Sequence, residues 1–246
     1  MRFFVIASFV MLASSAAAAT DCGKAELGTA RVAAVRDGRT LLLADGRELR
    51  LAGIEAAPAG AALLGRLTWD KVLHLRGAVG AKDRYGRMVG FATPGDASES
   101  LQEALIAAGA ARVSARAEDL ACAEHLLTLE RKARQARAGL WADPNFAPLR
   151  AELGPALDAQ RGKFVLVEGK VLSVRDVGGT VYVNFGRHWT RDFTLTIPRR
   201  LRRDFRAAGI EPEALAGRRI RVRGWMERRG GPIVEATAPG QIEVLP

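Results

Sequence analysis

The chain has 246 residues, 48% of them hydrophobic and 26% charged, which excludes a disordered polyelectrolyte and suffices for one large or two small packed domains. Its formal net charge of +10 is uneven: residues 161–246 hold 17 Lys and Arg against 9 Asp and Glu, and residues 1–160 hold 20 against 18. A basic last third suits a polyanionic partner, nucleic acid or an anionic surface, and equally a solvated basic face.

Arg2, the apolar run "FFVIASFVML" and the small residues "ASSAAAA" read as an export signal over residues 1–19, cleaved after Ala19. The run is too short for a stable membrane span. The mature protein is therefore expected to be exported, periplasmic or secreted, with no membrane span left. In an oxidising compartment the two cysteines, Cys22 and Cys122, are a disulfide candidate. Neither they nor the scattered His74, His125 and His188 have metal-ligand spacing, so no metal is assigned to them.

Three alternating segments, "TARVAAV", "TLLLA" and "ELRLAGI", are parted by "RDGR" and "DGR" turns and predict an antiparallel meander. A helix follows over about Gly60 to Asp70, then the strand "KVLHLRG", and a polar loop with a further strand in "AKDRYGRMVGFAT". "ESLQEALIAAG" is an amphipathic helix with Leu101, Leu105 and Ile106 apolar and Gly109 as its cap. "AEDLACAEHLLTLERKARQARAGLWA" is a longer helix with Leu120, Ala123 and Leu127 on one face, stopping at Gly139. Residues 143–160 read as a linker with at most one short helix. From Arg161 the order is a strand pair turning at Val177–Gly179, a third strand in "RDFTLTIPRR", and a basic helix closed by Gly209. Two strands with a Gly-Gly turn and a closing strand complete it. That order fits a five-stranded OB-type barrel, with an irregular β-sandwich as the alternative.

Five stretches in order, "DGRTLLL", "RLAGIEAAP", "DRYGR", "LQEALIAAGAARV" and "LLTLERKARQARAGLW", make residues 20–142 resemble the staphylococcal nuclease (thermonuclease) family. The resemblance covers about Thr29 to Trp141. It implies a mainly β, α+β chain of two OB-type barrels in tandem, the first with three helices. Residues 161–246 resemble the second OB-type module of some exported members. Family members cleave DNA and RNA with one calcium ion held by carboxylates, a carboxylate general base and two phosphate-clamping arginines.

The resemblance carries over residue by residue. The clamps are Arg50 and Arg87, and the second metal ligand falls on Glu55. The first ligand position holds Arg39 instead of an aspartate. The base position after Pro58 holds Ala59, with Ala57 inserted before the proline. A fixed cation beside a would-be dication is repulsive, so Arg39 is expected to pair with Glu55 in place of calcium. It then either fills a disused pocket or joins Arg50 and Arg87 in a phosphate cradle without hydrolysis. No cofactor is expected; calcium would belong only to a working nuclease.

In residues 161–246 the aromatics Phe164, Tyr182, Phe185, Trp189, Phe193 and Trp225 are interleaved with arginines. OB barrels bind single strands on such platforms. Alternation assigns the three phenylalanines to the core and leaves Tyr182 and Trp189 as surface candidates. Arg199, Arg200 and Arg203, with Arg202 and Arg206, could track a backbone or form a solvated face. The leading expectation is an exported, nucleic-acid-binding protein of thermonuclease type, single strands favoured, with a degenerate nuclease site. The alternatives are a working nuclease recruiting Asp37, Glu48 or Asp83, and an interaction module of the cell envelope.

Overall fold

Two Asp-Gly turns fold the first strands back on themselves. Asp37 accepts the Arg39 amide at 2.8 Å and Asp45 accepts the Arg47 amide at 3.0 Å, so each aspartate holds its own turn. The computed structural model describes residues 22–115 and 120–246; the predicted export segment, residues 1–19, lies outside them.

Strands β1 (Ala25–Asp37), β2 (Thr40–Leu43) and β3 (Glu48–Leu51) form the meander. A short β4 (Ile54–Ala56) and helix α1 (Gly60–Thr68) lead to β5 (Val72–Lys82) and β6 (Met88–Pro94). These strands close a barrel in the order β1-β2-β3-β6-β5, with β3 and β6 parallel. Helix α2 (Leu101–Ala107) starts at a capping box in which the Ser100 hydroxyl accepts the Glu103 amide and the Glu103 carboxylate accepts the Ser100 amide. Strand β7 (Ala111–Val113) pairs with β4, and α3 (Leu120–Gln135) packs on α2. Leu41, Leu49 and Leu73 from the strands meet Leu105, Ile106 and Leu126 from the helices, all fully buried. The expected barrel with three helices is present.

Helix α3 departs from its expectation. Leu120 is 36% exposed, and the buried stripe also runs through Cys122, Leu126, Glu130 and Ala133. Ala123 and Leu127 are buried as expected, so the inward face is wider than the expected stripe and only Leu120, in the first turn, lies outside it. The helix also ends at Gln135 rather than Gly139, because Arg137 adopts φ +52° and the chain enters a 3-10 turn at Gly139–Ala142.

The segment expected as a linker is built into the fold. After a 3-10 turn at Pro144–Phe146, β8 (Leu149–Arg150) pairs in parallel with β9 (Phe164–Lys170). Helix α4 (Gly154–Asp158) lies between them, and Ala151 and Leu157 are buried in the second core. Then come β10 (Ser173–Val177), β11 (Thr180–Asn184), β12 (Thr194–Pro198) and helix α5 (Arg202–Ala207). The chain finishes with β13 (Arg219–Trp225), β14 (Glu227–Arg229), β15 (Gly231–Glu235) and β16 (Ile242–Val244).

This unit is drawn as two sheets, β10-β11-β12-β15-β14 and β16-β13-β9-β8, rather than one closed five-stranded barrel. The pairing scheme nevertheless repeats that of the first barrel. The hairpin partners are antiparallel, β12 lies parallel to β15, and β13 returns antiparallel to β9. The division falls at two corners. Val171 turns into the core between β9 and β10, and Met226 does so between β13 and β14, its amide donating to the Lys163 carbonyl at 2.9 Å.

Apolar packing and a buried ion pair are among the contacts that join the units. Ala133, Leu140 and Trp141 pack against Phe164 and Leu166 of β9. Arg223 of β13, 1% exposed, donates to the Val113 carbonyl at 3.0 Å and to Glu130 at 2.8 Å, and pairs with Glu243. Among the described residues, no helix is long and apolar enough to cross a membrane.

Candidate functional site

Pairing of the barrel strands brings three arginines together. Arg39 leads into β2, whose Thr40 lies opposite Arg50 on β3; Arg50 is in register with Val89 on β6, and Arg87 immediately precedes β6. They line an open cleft of about 950 Å³ with Glu55, Asp83 and Tyr85, and Trp225 and Glu227 of the second unit complete its rim.

Of the four arginines lining this cleft, Arg39 and Arg87 are ion-paired, and Arg50 and Arg84 have no carboxylate partner among the described residues. Arg39 forms an ion pair with Glu55, the two side chains 17% and 15% exposed, and donates to the Ile54 carbonyl at 2.9 Å. Glu55 also faces Arg112 across the β4–β7 pair. Arg87 grips Asp83 through Nε at 2.8 Å and Nη2 at 2.6 Å. Burial works to raise the Asp83 carboxyl, but the Arg87 guanidinium and the amides of Tyr85 and Arg87 outweigh it and leave it below the usual carboxylate range. Glu227 is held by Arg229 at 2.9 Å. Each carboxylate lining the cleft is thus held by an arginine. Arg50 has no carboxylate partner among the described residues. Its guanidinium pKa is lowered by burial and then by repulsion from Arg39 and Arg87. Such a cation gains from an anion. Tyr85, 66% exposed, has the Arg84 and Arg87 guanidinia 4.9 and 5.0 Å from its ring centroid.

Other sequence candidates lie elsewhere. Ala59 is exposed at the start of α1 and does not line the cleft. The inserted Ala57 donates its amide to the Ala110 carbonyl at 2.9 Å and packs beside Trp141. Asp37 is an exposed turn residue, and Glu48 lies 3.5 Å from Arg36. Among the described residues, no three His, Cys, Asp or Glu side chains are grouped to hold a metal ion. Cys22 and Cys122 form a disulfide that ties the start of the described chain to α3.

A second cleft, of about 730 Å³, opens on the five-stranded sheet. Val181 and Val183 of β11 are fully buried, so the alternate residue, Tyr182, turns to the cleft. Arg175 sits directly opposite it on β10. Trp189 is 67% exposed, and its ring lies on Gly230, where a Cβ would come within 2.2 Å; Gly230 also holds φ +85°. The Gly230–Gly231 turn therefore seats the indole. Asp192 accepts the His188 amide at 2.8 Å and closes the loop that carries it. Arg187 and Arg229 also line this cleft, and no carboxylate does. Arg175 and Arg187 have no carboxylate partner among the described residues. Phe164 and Phe193 are buried, and Phe185 packs on Phe193 with ring centroids 5.1 Å apart.

Arg199, Arg200 and Arg203 are exposed at the far end of this sheet and line neither cleft. Within the same helix Arg202 is held by Asp176 and Glu213 at 3.0 and 2.5 Å, and Arg206 by Glu211 at 2.9 Å. Sequence reasoning did not place Arg84, Tyr85 and Trp225 in the first cleft, nor Arg175, Arg187 and Asn184 in the second. Counting outward from the Gly178–Gly179 turn would have paired Arg175 with Tyr182; no local signal marks the others.

A search of curated proteins finds no match. Comparison with family models matches residues 61–143 to the staphylococcal nuclease homologue family. The match runs from α1 through the turn after Trp141 and includes Arg87; Arg39, Arg50 and Glu55 precede it. The closed barrel, its three helices and this match together show that the chain carries a staphylococcal nuclease homologue domain.

Proposed function

We propose that this is an exported, periplasmic or secreted protein of the staphylococcal nuclease type that binds single-stranded nucleic acid and does not hydrolyse it. One observation carries the reading: each carboxylate of the barrel cleft is held by an arginine, while among the described residues Arg50 is left without a carboxylate partner. Calcium takes six to eight oxygen ligands, and this donor set does not fit it. Two unit charges about 4 Å apart interact by about 4 kcal/mol at an effective dielectric of 20, so Arg39 would repel a dication about as strongly as Glu55 at the same distance attracts it, and the pair together offers no net charge to hold the ion. The protein works without a cofactor. A phosphodiester anion, by contrast, fits beside Arg50 with Arg87 and Tyr85 as neighbours. Export is supported by the N-terminal apolar run and by the Cys22–Cys122 disulfide. Exposed Trp189 and half-buried Tyr182 favour unpaired strands.

The test is fluorescence anisotropy with a labelled single-stranded oligonucleotide over a salt series. The expected result is a log affinity that falls linearly with log salt, by roughly 0.7 per neutralised phosphate. Arg50→Ala should flatten the slope by about one such step. Absence of binding at low salt would overturn the reading.

A further inference from the structure

The cleft on the five-stranded sheet differs from the barrel cleft in two respects. No carboxylate lines it, and of its three arginines Arg175 and Arg187 have no carboxylate partner among the described residues while Arg229 pairs with Glu227 and Glu235; the barrel cleft is lined by Glu55, Asp83 and Glu227 as well as by arginines. It also has a polar floor. Ser173, Asn184 and Thr194 are cross-strand neighbours in one row over β10, β11 and β12. Their mutual contacts are long, 3.4 Å from the Asn184 amide nitrogen to Ser173 and 3.5 Å from the Thr194 hydroxyl to the Asn184 oxygen. Weak internal bonds of this kind leave donors and acceptors available to a ligand edge.

We infer that this cleft is a nucleobase-reading site for single-stranded nucleic acid, separate from the arginines of the barrel. An unpaired base stacks on Trp189 and Tyr182, its edge meets Asn184, and the flanking phosphates lie against Arg175 and Arg187. Charge and aromatic groups together select the occupant: a lining with cations and no acid attracts anions, and Trp189 and Tyr182 suit a flat ring carried between phosphates. The volume suits a base with its sugar rather than a duplex. The indole is held for this role, since Gly230 seats it while two-thirds of it stays in water.

The inference rests on the proposed nucleic-acid binding, and the test separates the two. The probes are a labelled oligothymidylate and an abasic strand of equal length and charge, titrated against the full chain and its variants. Wild type should prefer the oligothymidylate. Trp189→Ala should weaken it by about 5- to 100-fold, the loss of one stacked base, and leave the abasic strand unchanged. Trp189→Phe should restore much of the preference. Combined Arg175→Ala and Arg187→Ala should weaken both probes alike. Equal binding of the two probes by wild type would overturn the inference. So would a preference untouched by Trp189→Ala and Tyr182→Ala but removed by Arg50→Ala, which would leave the proposed function standing. Failure of wild type to bind either probe would overturn both.

Discussion

Replacing Arg223 by alanine should loosen the joint between the two units. The guanidinium is 1% exposed and reaches Glu130, itself 1% exposed, at 2.8 Å and the Val113 carbonyl at 3.0 Å. Its removal leaves one oxygen of Glu130 buried without that cation; the other still accepts the Val113 amide at 2.8 Å. Breaking a buried ion pair on one side costs about 3–5 kcal/mol. At about 2–4 °C per kcal/mol for a chain of this size, the midpoint should fall by about 6–20 °C. Arg223→Met with Glu130→Gln should recover most of that, because the cavity is filled and no charge is stranded. Acid titration adds a second readout. Burial would raise the Glu243 carboxyl, but Arg223 and Arg221 outweigh it and hold its folded pKa below the usual value. A depressed carboxylate stabilises the fold above its unfolded value, about pH 4.3, and that stabilisation is lost as pH falls through the folded value. The gap between wild type and Arg223→Ala should therefore narrow in acid. Calorimetry and denaturant titration measure both effects. A loss below about 1 kcal/mol at neutral pH would show that the network adds nothing beyond a surface pair.

Three further outcomes follow from named contacts. Arg39→Asp should give measurable calcium binding by isothermal titration without appreciable cleavage, and adding Ala59→Glu should change little because residue 59 lies outside the cleft; fast cleavage by the double variant would contradict this placement. Reduction of Cys22–Cys122 should lower stability, by about 4.7 kcal/mol at most for a loop of this length in the chain-entropy model. Free thiols in the unreduced, denatured protein would contradict it. Gly38→Ala should cost about 1–3 kcal/mol, because the new methyl would lie 2.7 Å from the Ala56 Cβ and 2.9 Å from the Ala57 carbonyl; a denaturant midpoint equal to wild type would refute the close approach.

The barrel was legible in the sequence because its determinants are local. Asp37 and Asp45 cap their own turns, and β2 and β3 alternate between them. Arg39 and Glu55 could be brought together because both fall in motifs whose order is fixed by the meander. Arg223 was not legible. In "RIRVRGW" the arginines alternate with apolar residues, which reads as a wet face, but Glu130 of α3 meets Arg223 there, and Glu168 and Glu243 of the neighbouring strands β9 and β16 pair with Arg221. The predicted linker failed similarly. Its prolines suggest a loop, yet β8 finds the free edge of β9, a partner no window around residue 149 contains. Periodicity placed Ala123 and Leu127 inward correctly, but Leu120 sits in the first turn of the helix and is exposed, and the buried face also takes in Cys122, Leu126 and Glu130. The second cleft draws on β10, β11, the loop around Trp189 and the Gly230 turn, so its aromatics were visible but their grouping was not.

Incubating the mature protein with end-labelled single-stranded DNA, with and without calcium, and scoring retention and cleavage in the same samples tests the central claim most directly. The account predicts retention that is equal in both conditions and a strand that stays intact. Calcium-dependent cleavage that disappears in Glu55→Gln would contradict it, because Glu55 would then be holding a metal ion rather than Arg39.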